Sequence, residues 1–139
     1  MGEPTPTPPR RGFKQTEFES RLQKAQARMR AERLDAVLLT TEPDVRYFTG
    51  FFTQFWESPT RPWFVVLPLD GKPIAVIPEI GAAGMAATWI DDIHTWPAPR
   101  PEDDGITLLR SVIDGVTRTF GRLGVPLGAE SFLRMPAGN

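Results

Sequence analysis

The short run "LDAVLLT", residues 34–40, constrains the fold of this chain more than any other feature of the sequence. A run this brief and this apolar is typical of a β-strand that is buried on both faces. A strand of that kind requires a covering layer on each side of its sheet. The sequence on either side of the run must therefore supply helices.

The flanking sequence predicts those helices and further strands. Residues 16–34 carry apolar side chains at helical spacing, and Thr16 with Glu19 fits a capping box at the helix start. Asp70-Gly71 between two apolar runs predicts a hairpin. The elements predicted after the first strand are a helix from 42 to Gly50, strands at 63–69 and 72–78, a helix at 79–89, a strand at 91–97, a helix at 105–124 and a strand at 125–131.

This order of elements, α-β-α-β-β-α-β-α-β, predicts an α/β layer structure. The central β-sheet should be mixed, and right-handed crossovers should place helices on both of its faces. The chain has 139 residues, which suits one domain of ordinary size. Residues 1–13 are rich in proline and threonine, and we expect them to form a disordered leader.

Composition excludes several classes of function. The formal net charge of −1 gives no electrostatic footprint for nucleic acid or for an anionic membrane. The chain has no cysteine, so disulfides and thiolate metal sites are excluded. No apolar run approaches the roughly 20 residues of a membrane span. We therefore expect a cytoplasmic protein that binds neither nucleic acid nor membrane.

The residues themselves show no catalytic constellation. His94 is the only histidine, and it falls in a predicted strand beside Asp91 and Asp92. It could serve as a metal ligand or general base, but a lone histidine cannot build the usual site with several ligands. We interpret it as a strand residue without special chemistry. The "GAAG" segment, residues 81–84, lacks the spacing of a phosphate-binding loop.

The stretch "YFTGFFTQFWESPTRPWFVVLP", residues 47–68, is unusually rich in aromatic residues. Tyr47, Phe48, Trp63 and Phe64 fall in predicted regular elements, so we assign them mainly to the core. The connection between these elements spans residues 51–62. Long connections inside a compact domain tend to be functional or disordered, and the aromatic content argues against disorder.

The side chains of this connection indicate a contact with a ligand or partner. Phe55, Trp56, Glu57 and Arg61 lie within it. Tryptophan and arginine are the residue types that anchor interfaces, and arginine also binds a carboxylate with two parallel hydrogen bonds. We therefore predict that Phe55, Trp56 and Arg61 touch a substrate or a partner.

Three segments make the chain resemble a known family. The segment "LDAVLLTTEPDVRYFTGF", the hairpin "RPWFVVLPLDGKPIAVIPE" and the later "LGAES" resemble the N-terminal domain of the creatinase, aminopeptidase P and prolidase family. The resemblance covers roughly residues 16–134. It implies a creatinase-type N-terminal domain over 14–132, with a mixed sheet and helices on both faces in a ribonuclease H-like arrangement. It also implies that 133–139 begin a linker.

The resemblance also implies where catalysis takes place. Family members carry a C-terminal "pita-bread" domain, in which metallopeptidases hold a dinuclear divalent metal (Mn, Co or Zn) with two Asp, one His and two Glu. This chain lacks that set, so we expect no catalytic residue and no metal site within it. The chain is expected to be a fragment of a longer hydrolase acting on a small peptide, amidino or amide substrate.

In the family the N-terminal domain mediates dimerisation or higher oligomerisation and leans over the active site, often that of the neighbouring subunit. Arg61 lies where creatinase-like members place an arginine that binds the substrate carboxylate. Phe55 and Trp56 would form apolar walls of the same cleft. The implied function of this domain is therefore oligomerisation and capping of the active site. Its implied partners are further copies of the same chain and the chain's own C-terminal catalytic domain.

Two other functions compete with this interpretation. The chain could be a stand-alone binding or assembly module that has lost catalysis. A nucleotide-binding α/β domain is a third possibility, but no glycine-rich phosphate loop follows the strand at 34–40.

Overall fold

A computed structural model describes residues 12–53, 56 and 62–126 of the chain. The elements of the fold, in chain order, are α1 (Gln15–Glu32), β1 (Ala36–Leu39), α2 (Glu42–Thr49), β2 (Phe64–Pro68), β3 (Ile74–Pro78), a 3₁₀ turn (Glu79–Gly81), α3 (Ala82–Ala86), β4 (Asp92–Trp96), α4 (Ile106–Asp114) and β5 (Leu123–Gly124). Apart from the added 3₁₀ turn, this is the predicted order of helices and strands.

The five strands form one mixed sheet in the order β4-β3-β2-β1-β5. The β1–β2 and β2–β3 pairs are antiparallel, whereas the β1–β5 and β3–β4 pairs are parallel. The hairpin predicted at Asp70-Gly71 joins β2 to β3, and Gly71 has a φ of 95°, a value that glycine adopts without strain. The prediction of a mixed sheet is confirmed.

Helices cover both faces of the sheet. On one face Leu22 and Met29 of α1, Val45 of α2 and Met85 of α3 pack in one buried cluster with β2 and β3. On the other face α4 packs on β1, β2 and β3. Every residue of β2 is buried, because β2 is the middle strand and has a neighbour on each side as well as a helical layer above and below.

The start of α1 differs from the prediction. The N-cap is Lys14, and no side chain caps the helix, so the capping box of Thr16 and Glu19 is wrong. Phe13, the residue before the N-cap, packs edge-on against Phe18 with ring centroids 6.4 Å apart. This is the spacing of a hydrophobic staple, which fixes the angle at which the chain enters the helix.

The last predicted helix is shorter than expected, and the last strand starts earlier. Helix α4 ends at Asp114 with Gly115 as its C-cap, so the prediction of a helix to residue 124 is wrong. The backbone N–H groups of Thr119, Phe120 and Gly121 all donate to the carboxylate of Asp35. Because this bond pattern requires a turn, the helix cannot continue. The strand predicted at 125–131 is displaced: β5 comprises Leu123–Gly124, and residues 125 and 126 are not part of a strand. Residues 127–131 lie outside the described residues.

The helix predicted at 79–89 is also shorter, with a 3₁₀ turn before α3 and irregular structure from residue 87. Thr88 ends it: its hydroxyl donates to the carbonyl of Met85 at 2.6 Å and accepts from the N–H of Ile90 at 3.2 Å. A hydroxyl that competes for backbone groups in this way favours a turn over a helix. Within the described residues no helix is long and apolar enough to cross a membrane.

Candidate functional site

The aromatic connection places two of its described side chains, those of Phe51 and Trp56, in the core. Trp56 is only 4% exposed and stacks on Trp63, with ring centroids 6.2 Å apart and an angle of 18° between the planes. Phe51 tilts against the other side of this pair, 5.5 Å from Trp63. Trp56 is thus a core residue of the described chain. Its predicted contribution to a substrate cleft stays a prediction, and Phe55 and Arg61 lie outside the described residues.

The four aromatics that were assigned to the core divide into two groups. Trp63 and Phe64 are buried, and Phe48 is partly buried against the core, as predicted. Tyr47 is 49% exposed, so its assignment to the core is wrong. Helix α2 is only eight residues long and packs on the core through Val45 and Thr49, so Tyr47 lies on its exposed face.

Tyr47 belongs to an exposed group that we call the aromatic surface, made of Phe13, Tyr47 and Phe52 with Arg21 and Arg46. The guanidinium of Arg21 lies between two rings, 4.4 Å from the centroid of Phe13 and 4.3 Å from that of Tyr47. It also donates to the carbonyl of Tyr47 at 2.8 Å and to Glu17 at 3.3 Å. Arg21 is 12% exposed, so this cation is held in one place between its aromatic neighbours.

The second arginine of the aromatic surface is placed by the end of α2. Arg46 lies with its guanidinium 5.0 Å above the ring of Phe52, which is 61% exposed. Gly50 turns the chain between them, with a φ of 77°. The exposed rings of this surface and the exposed guanidinium of Arg46 suit a partner that is both apolar and anionic. Phe52 itself belongs to the connection of residues 51–62, so the aromatic surface adjoins the residues predicted to bind substrate.

A groove of about 650 Å³ lies on the α4 face of the sheet, between the hairpin, β4 and the end of α4. An ion pair and a contact between an imidazole and a carboxylate lie along it. The ammonium of Lys72 contacts Asp91 at 2.7 Å, and the imidazole Nε2 of His94 contacts Asp92 at 2.7 Å. All four side chains remain partly or largely exposed. The carboxylates of Asp91 and Asp92 in the groove are therefore each matched by one basic group of the same chain.

Asp35 at the end of this groove is a residue that the sequence analysis missed. Burial raises the pKa of its carboxyl group, but the hydrogen bonds from the N–H groups of Phe120, Thr119 and Gly121 outweigh burial and hold the pKa below its ordinary value. The carboxylate accepts these bonds at 2.7–2.9 Å. Its role is to tie the loop after α4 to the start of β1. A charged residue within an otherwise apolar strand run was the available signal.

The described residues do not assemble a metal centre. No group of three or more His, Asp or Glu side chains among residues 12–53, 56 and 62–126 is placed to hold an ion. His94 sits in β4 and pairs with Asp92 of the same strand. The donor set of a dinuclear metallopeptidase centre does not fit the residues described.

Comparison with known proteins assigns the fold to one family. The family described as the creatinase/prolidase N-terminal domain matches residues 21–132. No curated protein sequence matches the chain. Among solved structures, dipeptidase PepE from Mycobacterium ulcerans superposes with a TM-score of 0.59 at 24% identity, over 74% of this chain and 27% of that one.

Two further structures show the same fold at lower identity. The prolidase from Thermococcus sibiricus has a TM-score of 0.64 at 14% identity, over 83% of this chain and 35% of that one. The creatinase/prolidase N-terminal domain of an X-Pro dipeptidase from Streptococcus pyogenes has a TM-score of 0.56 at 15% identity, over 67% of this chain and 66% of that one. The chain thus spans about a quarter of the Mycobacterium ulcerans dipeptidase and about a third of the Thermococcus sibiricus prolidase. It belongs to the creatinase/prolidase N-terminal domain family.

Proposed function

We propose that this chain is the non-catalytic N-terminal domain of an Xaa-Pro peptidase or a creatinase-like hydrolase. The observation that carries the proposal is the family match over residues 21–132, most of the described chain. The similar structures are dipeptidases and prolidases by name, and two of them extend well beyond the region that this chain matches. The cleavage chemistry, including any dinuclear metal, would then belong to a further domain.

The proposed role at that active site is to cap it. Phe55, Trp56 and Arg61 belong to the connection between α2 and β2, and the aromatic surface adjoins this connection. The exposed rings of Tyr47 and Phe52 and the exposed guanidinium of Arg46 give the domain an apolar and cationic side. A surface of this kind complements a small peptide with a free carboxylate, which Arg61 would bind. Burial of Trp56 supports a rigid base for the connection.

The second proposed role is assembly. We propose that the domain forms a homodimer or a higher homo-oligomer, and that the protein works in the cytoplasm. Formation of this oligomer would bring the aromatic surface of one subunit to the catalytic domain of the same or the neighbouring subunit.

The capping role is tested with Arg61→Ala in the enzyme encoded by the complete gene. Loss of one charge-assisted contact to substrate should lower kcat/KM for an Xaa-Pro dipeptide by about five- to a hundredfold, with little change in Tm. Arg28→Ala is the matched control, because Arg28 is 78% exposed on α1 and pairs only with its neighbour Glu32 among the contacts described. Equal kinetics for the two variants would refute the capping role.

A gene that ends at Asn139, without a downstream set of Asp, His and Glu ligands, would contradict the hydrolase assignment. That result would favour the alternative function, a stand-alone binding or assembly module.

A further inference from the structure

One edge of the sheet has no partner strand. Strand β4 lies at the end of the strand order, and it pairs with β3 along its whole length, from Asp92 opposite Ile74 to Trp96 opposite Pro78. Within the described residues its other side meets no backbone group. A row of free N–H and C=O groups along five residues is a template for another strand.

Within its five residues, the edge of β4 lacks the backbone devices that usually protect an exposed strand. Proteins usually blunt an exposed edge with charged side chains, with proline, with a bulge or with a very short strand, and of these β4 carries only the charge of Asp92. Residues 92–96 contain no proline or glycine, and none has a positive φ. Pro97 directly follows β4, but the five residues of β4 itself are long enough to pair, whereas β5 has only two residues. The free edge of β4 is therefore the one that can accept a strand.

We propose that the edge of β4 binds the same edge of a second copy of this chain, antiparallel and centred on Ile93. The proposal rests on the assembly role proposed above and names its interface. In this register Ile93 lies opposite Ile93 of the second copy. Asp92 then lies opposite His94 of the second copy, and by symmetry this pair occurs twice. The two sheets join into one continuous sheet across the dimer axis.

The chemistry of the edge selects this register. Side chains alternate along a strand, so Asp92 and His94 share the α4 face while Ile93 points to the other face, where it packs against the core. Directly opposed side chains stabilise a strand pair when they are apolar partners or carry opposite charges, and like charges directly opposite each other destabilise it. Centring on Ile93 places a carboxylate opposite an imidazole donor twice. Centring on His94 would instead place His94 opposite itself.

The pairing extends a contact that the single chain already makes. Within one chain Asp92 and His94 lie 2.7 Å apart, with about 58% and 39% of their side chains exposed. Both groups therefore keep room for a second partner. A carboxylate has several acceptor positions, so Asp92 can accept from His94 of its own chain and of the second copy together.

A cysteine cross-link tests the register directly, because the chain has no cysteine of its own. In the proposed dimer the two copies of an Ile93→Cys variant face each other about 4.5–5.5 Å apart, within the Cα distance of a disulfide. The two copies of Thr95→Cys lie about 13 Å apart along the strand, too far to bridge. Thr95 is more exposed than Ile93, so non-specific oxidation would cross-link the Thr95→Cys control more readily than Ile93→Cys.

We expect mild oxidation to cross-link Ile93→Cys into a dimer and to leave Thr95→Cys monomeric on a non-reducing gel. A charge exchange provides the second measurement, by sedimentation of the reduced protein. Asp92→Arg should raise the dimer dissociation constant about tenfold, since it opposes two basic groups twice. The double variant Asp92→Arg/His94→Asp restores opposite pairs and should return dimerisation to near the original value.

The outcomes separate this interface from the assembly role itself. A dimer that does not cross-link at Ile93, or that cross-links equally at Thr95, would overturn the β4 interface while leaving assembly intact. The same holds for a double variant that dimerises no better than Asp92→Arg alone. A chain that sediments as a monomer at every concentration would overturn the interface and the assembly role together.

Discussion

Replacing Trp56 distinguishes a core residue from a surface residue that waits for a ligand. Its side chain is 4% exposed and stacks on Trp63. An aromatic side chain of this size buries about 150–250 Å², which at about 25 cal/mol/Å² corresponds to roughly 4–6 kcal/mol of transfer free energy. Measured losses for Trp or Phe to Ala in a core are about 3–5 kcal/mol, so we expect Trp56→Ala to lower the free energy of unfolding by about 4 kcal/mol.

The loss should be easy to measure against the total stability of such a domain. A domain is stable by about 5–15 kcal/mol, so a loss of this size removes a large part of its stability. With a urea m-value of about 2 kcal/mol per molar, the unfolding midpoint should fall by about 2 M. Far-UV circular dichroism is the suitable signal, because it does not depend on the tryptophan that is removed. Trp56→Phe keeps a ring against Trp63 and should cost clearly less.

The matched control is Phe52→Ala, a change of similar chemistry on the same segment. Phe52 is 61% exposed, and surface substitutions usually stay within about 0.5 kcal/mol. If Trp56→Ala lowers the free energy of unfolding by no more than Phe52→Ala does, the assignment of Trp56 to the core is wrong. In that case Trp56 would not be an integral part of the core, and the whole connection would belong to the ligand-binding side.

Two further predictions concern close packing and pH. A Cβ at Gly81 would lie 2.3 Å from the ring of Trp63. Gly81→Ala should therefore lower the free energy of unfolding, measured by urea titration, by about 1–3 kcal/mol. Gly115→Ala is the control: its Cβ would meet only ordinary contacts, so its free energy of unfolding should stay within about 0.5 kcal/mol of the original. A similar cost for both would contradict this packing. Folding lowers the pKa of the Asp35 carboxyl group. Its carboxylate therefore contributes its full stability at pH values above the pKa in the unfolded chain, near 3.8. This contribution is lost as the pH falls through the lower pKa of the folded state. Urea midpoints between pH 7 and pH 2.5 should therefore fall more steeply for the original chain than for Asp35→Asn, and parallel curves would contradict the role given to Asp35.

The sequence predicted the features that local patterns determine. The apolar run around β1, the hairpin at Asp70-Gly71 and the glycine that ends α2 each depend on residues a few positions apart. These signals were sufficient for the order of the elements and for a mixed sheet with helices on both faces, because burial on both faces of β1 and β2 leaves few other arrangements.

Two of the features that the sequence did not predict, the loop after α4 and the exposure of Tyr47, depend on residues far apart in the chain. The loop that ends the last helical segment is set by Asp35, which binds N–H groups 84 to 86 residues away. Tyr47 is drawn outward to the guanidinium of Arg21, 26 residues before it. Helical and strand periodicity carry no information about such pairs. The predicted substrate contacts at Phe55 and Arg61 are a different case, since the described residues do not include them.

The two surfaces proposed for function are joined through one tryptophan. The indole N–H of Trp89 donates to the carbonyl of Phe48 at 2.9 Å, beside the aromatic surface. The carbonyl of Trp89 accepts from Lys72 at 3.0 Å, and Lys72 also pairs with Asp91, next to the β4 edge. Because hydrogen bonds link the single residue Trp89 to both surfaces, the domain itself fixes the orientation of one surface relative to the other. A dimer formed through β4 would therefore present its two aromatic surfaces at a fixed separation, which is what a subunit needs if it is to cap an active site in a defined position.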